Sequence, residues 1–306
     1  LHHFLQAARR ADALRLVVID EAHQVILGST YRECMENLSH RLGALDVPLV
    51  LLSGTCPDSF VPTLLGRLRV SRNDCTIIRS TEDRLSSKRI ISFVEIPGAA
   101  NEVLVELSTM LTQSSAQRIV VFCLTHAAVK EAVEFVSAND SILGSYEIIQ
   151  MTSDVDSSVR EACLNALQSS TPRLERRLLC FATSLLAEGP DLKIDETFVL
   201  GAMHLGPLHV VQATSRAGRG DPGKVGTVRG TILMNKSYVM TKLHRHGDVV
   251  KANDSKTQLL RLFLADQRSR IEPIVTSDGL DQILALTKDG VCGRVALMSV
   301  YHGREA

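Results

Sequence analysis

Short apolar runs alternate with stretches of helical period along the first 240 residues of the chain. The runs are rich in Leu, Ile and Val and show little alternation of apolar with polar positions. That pattern is typical of strands covered on both faces in a parallel sheet. The runs predict strands at Leu14–Asp20, Pro48–Ser53, Thr76–Arg79, Ile90–Ile96, Arg118–Cys123, Glu147–Met151, Arg177–Ala182, Thr197–Gly201 and Thr231–Met234.

Amphipathic stretches lie between these runs. Apolar residues recur at intervals of three or four, which predicts helices with one buried face. The stripes are Tyr31, Cys34, Met35, Leu38, Leu42 and Leu45, then Val103, Leu104, Leu107, Met110 and Leu111, then Val129, Ala132, Val133 and Val136, then Val159, Ala162, Cys163 and Leu167. Regular alternation of strands and helices predicts a doubly wound α/β architecture.

Pro97-Gly98 follows one strand run and precedes a long helical stretch. The order of strand and helix then starts again, so the pattern predicts a first α/β unit at residues 1–97 and a second at 98–240. The remaining residues, 241–306, predict a mostly helical or irregular tail with one clear helix around Gln258–Gln267.

Composition narrows the class of protein. The chain has 306 residues, with 45% hydrophobic and 22% charged side chains, as in globular proteins. Its formal net charge is zero, so any nucleic acid must be held by a local basic patch. No apolar run approaches the ~20 residues of a membrane-spanning helix. The seven cysteines are scattered without a C-x-x-C pair, which argues against a disulfide framework or a zinc site and favours a reducing compartment.

Two acidic residues end the first apolar run, in the sequence Asp20-Glu21-Ala22-His23. Ligands of α/β proteins bind at the carboxyl ends of strands, so this pair lies where a site is expected. There Asp20 could hold Mg²⁺ through its waters, while Glu21 orients or deprotonates an attacking water. The alternative is an ordinary helix start, where acidic side chains are favoured.

A second candidate lies at Gln212–Gly220, where Arg216 and Arg219 are three residues apart on one face of a helical turn. Small residues between them allow close approach of a phosphate. An arginine that neutralises a transferring phosphoryl group is worth about 10³–10⁵ in rate. The alternative is a basic surface turn.

The order and spacing of these signals resemble those of superfamily 2 helicases, and most closely the RecQ-like DNA helicases, over roughly residues 1–240. The matching stretches are 20–23, 52–55, 121–125, 180–183 and 212–219, which resemble the family's motifs II to VI. The chain departs from the family at Gly54, where Ala is usual, and at Ser215, where Gly is usual.

The resemblance implies two RecA-like lobes, the first of them truncated, that use ATP and Mg²⁺ to unwind DNA in the 3′→5′ direction. Its partner would be single-stranded or partly duplex DNA, in repair or recombination, in the nucleus of a eukaryote or otherwise in the cytoplasm. The implied roles are Mg²⁺ positioning for Asp20, water activation for Glu21, coupling for His23, Ser53 and Thr55, nucleotide contact for Gln212, Arg216 and Arg219, and DNA contact for Tyr31, Arg32, Thr125 and Thr183.

Several family features are missing. Gly28–Arg32 stands where RecQ-like enzymes carry an aromatic-rich loop, but the usual Trp is gone, and Tyr31 can equally be the first core residue of the next helix. No phosphate-binding G-x-x-x-x-G-K-[ST] motif occurs, and only nineteen residues precede Asp20. We therefore expect that the N-terminal half of the first lobe is missing and that the chain alone hydrolyses ATP weakly or not at all.

Zinc is not expected, because Cys292 is the only cysteine after residue 240, and His244 and His246 are interpreted as solvent-exposed surface residues.

Two other functions stay open. The chain can be a degenerate, non-hydrolysing homologue that binds nucleic acid or protein. A DEAH-box RNA helicase is less well matched, since Ala213 follows Gln212 where that group usually has Arg. The sequence does not identify protein partners or the oligomeric state.

Overall fold

A computed structural model of the chain describes residues 2–27, 38, 42, 45, 47–79, 89–169, 176–183, 186, 192–201, 206–218, 228–235, 237–238 and 278–302. The chain divides into two compact units. The first comprises residues 1–83 with 251–272, and the second comprises residues 84–250 with 273–306. No helix among the described residues is long and apolar enough to cross a membrane.

The first unit is built around a short parallel strand pair. Its described elements are α1 (His2–Arg10), β1 (Val17–Ile19), α2 (Gln24–Leu27), β2 (Leu49–Leu51), α3 (Phe60–Leu68) and a 3₁₀ turn at Arg72–Asp74. β1 and β2 run parallel, with Val18 opposite Val50. The buried face of α3 carries Phe60, Leu64, Leu65 and Leu68.

One face of this strand pair is apolar and exposed. Side chains alternate along a strand, so Leu16 and Val18 share a face with Val50 and Leu52 across the parallel register. All four are exposed, Val18 by 53%. The prediction of strands covered on both faces therefore does not hold for β1 and β2.

Among its described residues, the second unit contains a six-stranded, fully parallel sheet in the order β3-β8-β7-β4-β6-β5. Its elements are β3 (Arg89–Glu95), α4 (Glu102–Gln113), β4 (Arg118–Phe122), α5 (His126–Ser137), α6 (Asp140–Ser145), β5 (Tyr146–Met151), α7 (Ser157–Gln168), β6 (Arg177–Ala182), β7 (Glu196–Leu200), α8 (Gly206–Thr214), β8 (Val228–Met234), α9 (Asp278–Lys288) and α10 (Gly293–His302). Every residue of β4 and β7 is buried. The predicted α/β class with a parallel sheet and a helical C-terminal region is confirmed.

The predicted helical stripes differ in how well they match the core. Val103, Leu104, Leu107 and Leu111 are buried on α4, and Val129, Ala132 and Val136 are buried on α5. On α7 only Cys163 and Leu167 are buried, whereas Val159 and Ala162 of the same predicted stripe are exposed. Of the first predicted stripe, residues 31, 34 and 35 lie outside the described residues, and Leu42 and Leu45 are buried.

The strand predicted at the end of the first α/β unit belongs to the second sheet. β3 pairs with β8 along its whole length, from Arg89 opposite Val228 to Glu95 opposite Met234. The expected boundary at residue 97 thus falls inside the second compact unit. Pro97-Gly98 is a turn between a strand and a helix, with Gly98 at φ 93°. Such a turn and a boundary between domains look the same in local sequence.

Thr76–Arg79 is not a strand in this structure. Ile78 is 91% exposed, and Arg79 instead binds the Asp58 carboxylate at 2.8 Å and the Cys56 carbonyl at 2.7 Å. β-branched residues favour a strand only where a neighbouring strand completes the ladder, and no described residue does so here.

The C-terminal region packs on the second unit through helices that the sequence analysis did not single out. The predicted helix at Gln258–Gln267 lies outside the described residues. α9 buries Leu280 and Ile283, and its Lys288 forms an ion pair with Glu95 at 2.6 Å. α10 begins at Gly293, where an added Cβ would lie 2.5 Å from the Ile91 carbonyl oxygen of β3.

We expect Gly293→Ala to loosen α10 from β3, because the new methyl group cannot fit against the Ile91 backbone. Hydrogen exchange followed by mass spectrometry should show faster amide exchange in residues 293–302. The matched control is Gly144→Ala on α6, where an added Cβ meets nothing within 4 Å. Equal behaviour of the two variants would contradict this packing.

Candidate functional site

The turn after β1 places the two predicted catalytic acids. Asp20 is exposed, and its Oδ1 accepts a hydrogen bond from the Glu21 amide at 2.8 Å. Glu21 has φ 48°, a left-handed conformation that costs a residue other than glycine about 1–3 kcal/mol. Its carbonyl accepts from the Gln24 amide at 2.8 Å, and the next amide, that of Ala22, donates to the Leu52 carbonyl at 2.8 Å. Hydrogen bonds on both sides of Glu21 therefore hold the strained turn.

His23 is completely buried beside the turn that follows β2. Its Nδ1 lies 2.8 Å from Ser53 Oγ and 3.3 Å from Thr55 Oγ1. Ser53 Oγ also accepts a hydrogen bond from the Thr55 amide at 3.1 Å. The Ser53 hydroxyl can donate to Nδ1 while accepting from Thr55, which satisfies three polar groups at once. His23, Ser53 and Thr55, which sequence reasoning grouped as coupling residues, thus form one hydrogen-bonded cluster.

This cluster reaches Glu21, one of the two predicted catalytic residues. Glu21 Oε2 lies 3.3 Å from His23 Nδ1, a pair that is ionic only when the imidazole is protonated. The same oxygen is buried and has no hydrogen bond from a described residue, although the rest of the Glu21 side chain is half exposed. One oxygen of Glu21 therefore faces the cluster. The water-activating role of Glu21 stays a prediction.

Asp20 fits an outer-sphere Mg²⁺ contact. Its side chain is exposed at the carboxyl end of β1, where one oxygen is held by the Glu21 amide. Within the described ranges no group of three or more His, Cys, Asp or Glu side chains could hold a metal directly. Mg²⁺ commonly keeps several waters and uses one or two carboxylates plus phosphate oxygens, so a single aspartate is sufficient for that kind of site.

In the second unit, Gln212 lies in α8 and Arg216 follows the helix, and both are buried, Arg216 with 2% exposure. The Ser215 hydroxyl donates to the Gln212 carbonyl at 3.0 Å, so the residue that replaces the family's usual glycine fits inside the turn. Gly218, at φ 73°, donates its amide to the Ile194 carbonyl at 2.8 Å. Arg219 lies outside the described residues, and contact of these side chains with a nucleotide stays a prediction.

The predicted nucleic-acid contacts are only partly placed. Thr125 follows β4 and caps α5, with its Oγ1 accepting from the Ala128 amide at 3.1 Å. Thr183 follows β6, and its amide donates to the Met151 carbonyl at 3.3 Å. Tyr31 and Arg32 lie outside the described residues. β4 and β6 are neighbours in a parallel sheet, so Thr125 and Thr183 share its carboxyl edge.

The same edge carries a polar cluster that sequence reasoning missed. His126 Nδ1 lies 2.6 Å from Asp154 Oδ2, and His126 Nε2 lies 3.2 Å from Ser153 Oγ. Ser153 and Asp154 follow β5, the neighbour of β6. Polar residues directly after a predicted strand were the signal that could have found them. This cluster joins the loop after β5 to the start of α5.

Comparison with known proteins agrees with this fold. Residues 100–221, less than half of the chain, match the helicase conserved C-terminal domain. This segment is therefore similar to the C-terminal lobe of superfamily 2 helicases. Proteins of this class generally use ATP and Mg²⁺.

Solved structures give the same fold at low identity. T. fusca Cas3 is 19% identical with a TM-score of 0.55, over 85% of this chain and 39% of that one. S. cerevisiae Dbp5 bound to RNA and ADP BeF3 is 15% identical with a TM-score of 0.54, over 94% of this chain and 66% of that one. E. coli HrpB, a DExH-box NTPase, is 13% identical with a TM-score of 0.51, over 78% and 30%.

The chain spans less than two thirds of the length of Cas3 and of HrpB. These likenesses support the RecA-like helicase fold that the resemblance implied. They do not single out the RecQ-like enzymes, and the named proteins include one bound to RNA.

We expect Ser53→Ala to destabilise the turn region of the first unit by about 1–3 kcal/mol, because it leaves the buried His23 ring and the Thr55 amide without a shared partner. Hydrogen exchange in peptides covering residues 17–27 and 49–55 measures the effect. The matched control is Ser59→Ala, since the Ser59 hydroxyl is buried without a hydrogen bond from a described residue. Similar losses in the two variants would show that the cluster does not stabilise the site.

Proposed function

We propose that this chain carries the ATP-hydrolysing and coupling residues of a superfamily 2 helicase that acts on DNA. The observation that carries the proposal is the hydrogen-bonded cluster of His23, Ser53 and Thr55 directly beside Asp20 and Glu21. The turn after β1 bears two adjacent acidic residues, and the buried His23 links it by hydrogen bonds to the turn after β2. Such a link suits a site where hydrolysis must change the conformation of another part of the protein.

In this proposal Asp20 holds the hydrated Mg²⁺, which would neutralise charge on the nucleotide phosphates. Glu21 takes a proton from the attacking water. His23 transmits the position of Glu21 to Ser53 and Thr55 through the contacts at 2.8 and 3.3 Å. Because Ala22 donates to Leu52, a shift of the acidic turn also pulls on the backbone just before Ser53.

In this proposal Gln212, Arg216 and Arg219 of the second unit bind nucleotide phosphate. Arg219 is the arginine that stabilises the transferring phosphoryl group. Arg216 is buried, and a buried arginine keeps its charge, so it can hold phosphate once its side chain is reached. The proposal therefore requires that nucleotide binding be accompanied by exposure of Arg216.

DNA is proposed over RNA, with RecQ-like 3′→5′ unwinding, on the sequence resemblance alone. Tyr31 and Arg32 stand in the position of that family's aromatic-rich loop, and Ala213 replaces the arginine usual in the DEAH-box RNA helicases. In this proposal Thr125 and Thr183 contact the DNA strand at the carboxyl edge of the second unit's sheet. A nuclear location in a eukaryote, and a role in repair or recombination, belong to this proposal as well.

The first lobe is proposed to be incomplete in these 306 residues. They contain no G-x-x-x-x-G-K-[ST] motif. The exposed apolar face formed by Leu16, Val18, Val50 and Leu52 is the kind of surface that further helices of a parallel α/β lobe would cover. A phosphate-binding loop on such added elements would supply the main affinity for ATP.

We expect the 306-residue chain to show little or no single-stranded-DNA-stimulated phosphate release. The missing loop removes the amide cradle that binds the triphosphate. Release of phosphate is measured on the purified chain and on Glu21→Gln, which preserves shape while removing the general base. Vigorous turnover by the chain that Glu21→Gln abolishes would contradict this expectation.

The proposed ATP-hydrolysing activity is tested on the protein encoded by the natural reading frame. If codons upstream of Leu1 supply an in-frame G-x-x-x-x-G-K-[ST], the longer protein should hydrolyse ATP, and Glu21→Gln should lower its rate by about 10²–10⁴. Comparison of single-stranded DNA with RNA as the stimulating strand separates the two substrate classes. Absence of such a loop from the frame, or full activity of the Glu21→Gln protein, would overturn the proposal.

A degenerate, non-hydrolysing homologue that binds nucleic acid or protein is the second candidate. The burial of Arg216 favours it, because an arginine that binds no phosphate does not need to be accessible. In that case fluorescence anisotropy should detect binding of a labelled oligonucleotide by the chain, with no effect of ATP and none of Glu21→Gln.

A further inference from the structure

Two cysteines meet inside the second unit. Cys163 lies on α7 and Cys180 on β6, and their sulfur atoms are 3.9 Å apart in a hydrogen bond. Cys163 is 4% exposed and Cys180 is fully buried. A disulfide bond is ~2.05 Å long, so its formation requires the two sulfurs to approach by about 2 Å. A small shift of α7 toward the sheet would bring them together.

The two thiols differ in acidity. A hydrogen bond from Cys180 lowers the pKa of the Cys163 thiol, because it stabilises the thiolate. The same hydrogen bond and complete burial raise the pKa of Cys180. The thiolate is the reactive form of cysteine, so Cys163 is the sulfur that attacks first.

Access to Cys163 depends on how firmly α7 is packed. Only Cys163 and Leu167 are buried on this helix, whereas α4 buries five residues and α5 buries four. A helix with so little buried apolar surface opens locally at low cost. Local opening of α7 exposes Cys163, while Cys180 stays in the sheet as the second thiol.

We propose that Cys163 and Cys180 form a reversible oxidation site whose oxidant is hydrogen peroxide. The Cys163 thiolate attacks one peroxide oxygen, the O–O bond breaks, and the hydroxide released takes a proton to become water. Cys163 is then a sulfenic acid. Cys180 loses its proton and attacks the Cys163 sulfur, the S–O bond breaks, and a second water leaves. Two thiols and one hydrogen peroxide thus yield one disulfide and two waters.

The disulfide ties α7 to the middle of β6, the strand that ends directly before Thr183. It removes the opening motion that admitted the oxidant. Reduction by a small thiol reverses the bond by thiol–disulfide exchange. The site does not depend on ATP or nucleic acid, so it stands whether or not the proposed function does.

The experiment treats the native chain with hydrogen peroxide, blocks remaining thiols with an alkylating reagent, and digests with trypsin without reduction. Cleavage after Arg and Lys leaves each cysteine alone in its peptide, Cys163 in residues 161–173 and Cys180 in residues 178–193. We expect these two peptides to be joined, and to separate on reduction. Amide exchange in α7 should slow by roughly tenfold in the oxidised protein.

The control variants are Cys163→Ser, which should abolish the joined peptides, and Cys75→Ser, which alters a half-exposed cysteine of the first unit and should leave them unchanged. The wild-type result decides the question even if Cys163→Ser folds poorly. Oxidation of Cys75 or Cys292 without joining of the two peptides would overturn the proposal. A bond from Cys123 to Cys180 in their place would overturn it as well.

Discussion

The parallel register of β1 against β2 is the constraint on which the first unit's candidate site depends. The Leu52 amide donates to the Ile19 carbonyl, and the Ala22 amide donates to the Leu52 carbonyl, each at 2.8 Å. These bonds carry the ladder past both strand ends and bring the two following turns side by side. A slip of one residue would turn every side chain to the opposite face of the strand. His23 would then no longer meet Ser53.

The strain at Glu21 follows from the same constraint. The chain must turn sharply enough to send His23 into the interior while Asp20 stays in solvent. The positive φ of Glu21 makes that turn, and the hydrogen bonds to the neighbouring residues hold it. Backbone strain of this kind persists only where the surroundings enforce it, which is common at sites where a side chain must be held in one position.

The two units show what covering elements do for a parallel sheet. In the second unit, helices bury the central strands completely, and the carboxyl edge of the sheet gathers Thr125, His126, Asp154 and Thr183 from three loops. The first unit leaves one apolar face of its strand pair exposed to solvent.

The helices of the second unit differ in how many of their residues are buried. Because α7 buries only Cys163 and Leu167, the thiol pair lies beneath a helix that opens at low cost.

Particular residues show which features of the structure can be predicted from the sequence alone. Its apolar periodicity determined the α/β class, the parallel sheet and the buried faces of α4 and α5. The spacing of apolar side chains along an element determines which of its faces is buried, so this information is local. The family resemblance grouped His23 with Ser53 and Thr55, and the structure brings these side chains together although thirty residues separate His23 from Ser53.

Only the tertiary structure decided which sheet β3 joins, that Thr76–Arg79 pairs with no strand among the described residues, and that Cys163 meets Cys180. Each of these depends on a contact between segments distant in the chain. The energy of such a contact arises when the partner arrives, so no local pattern of residues can encode it.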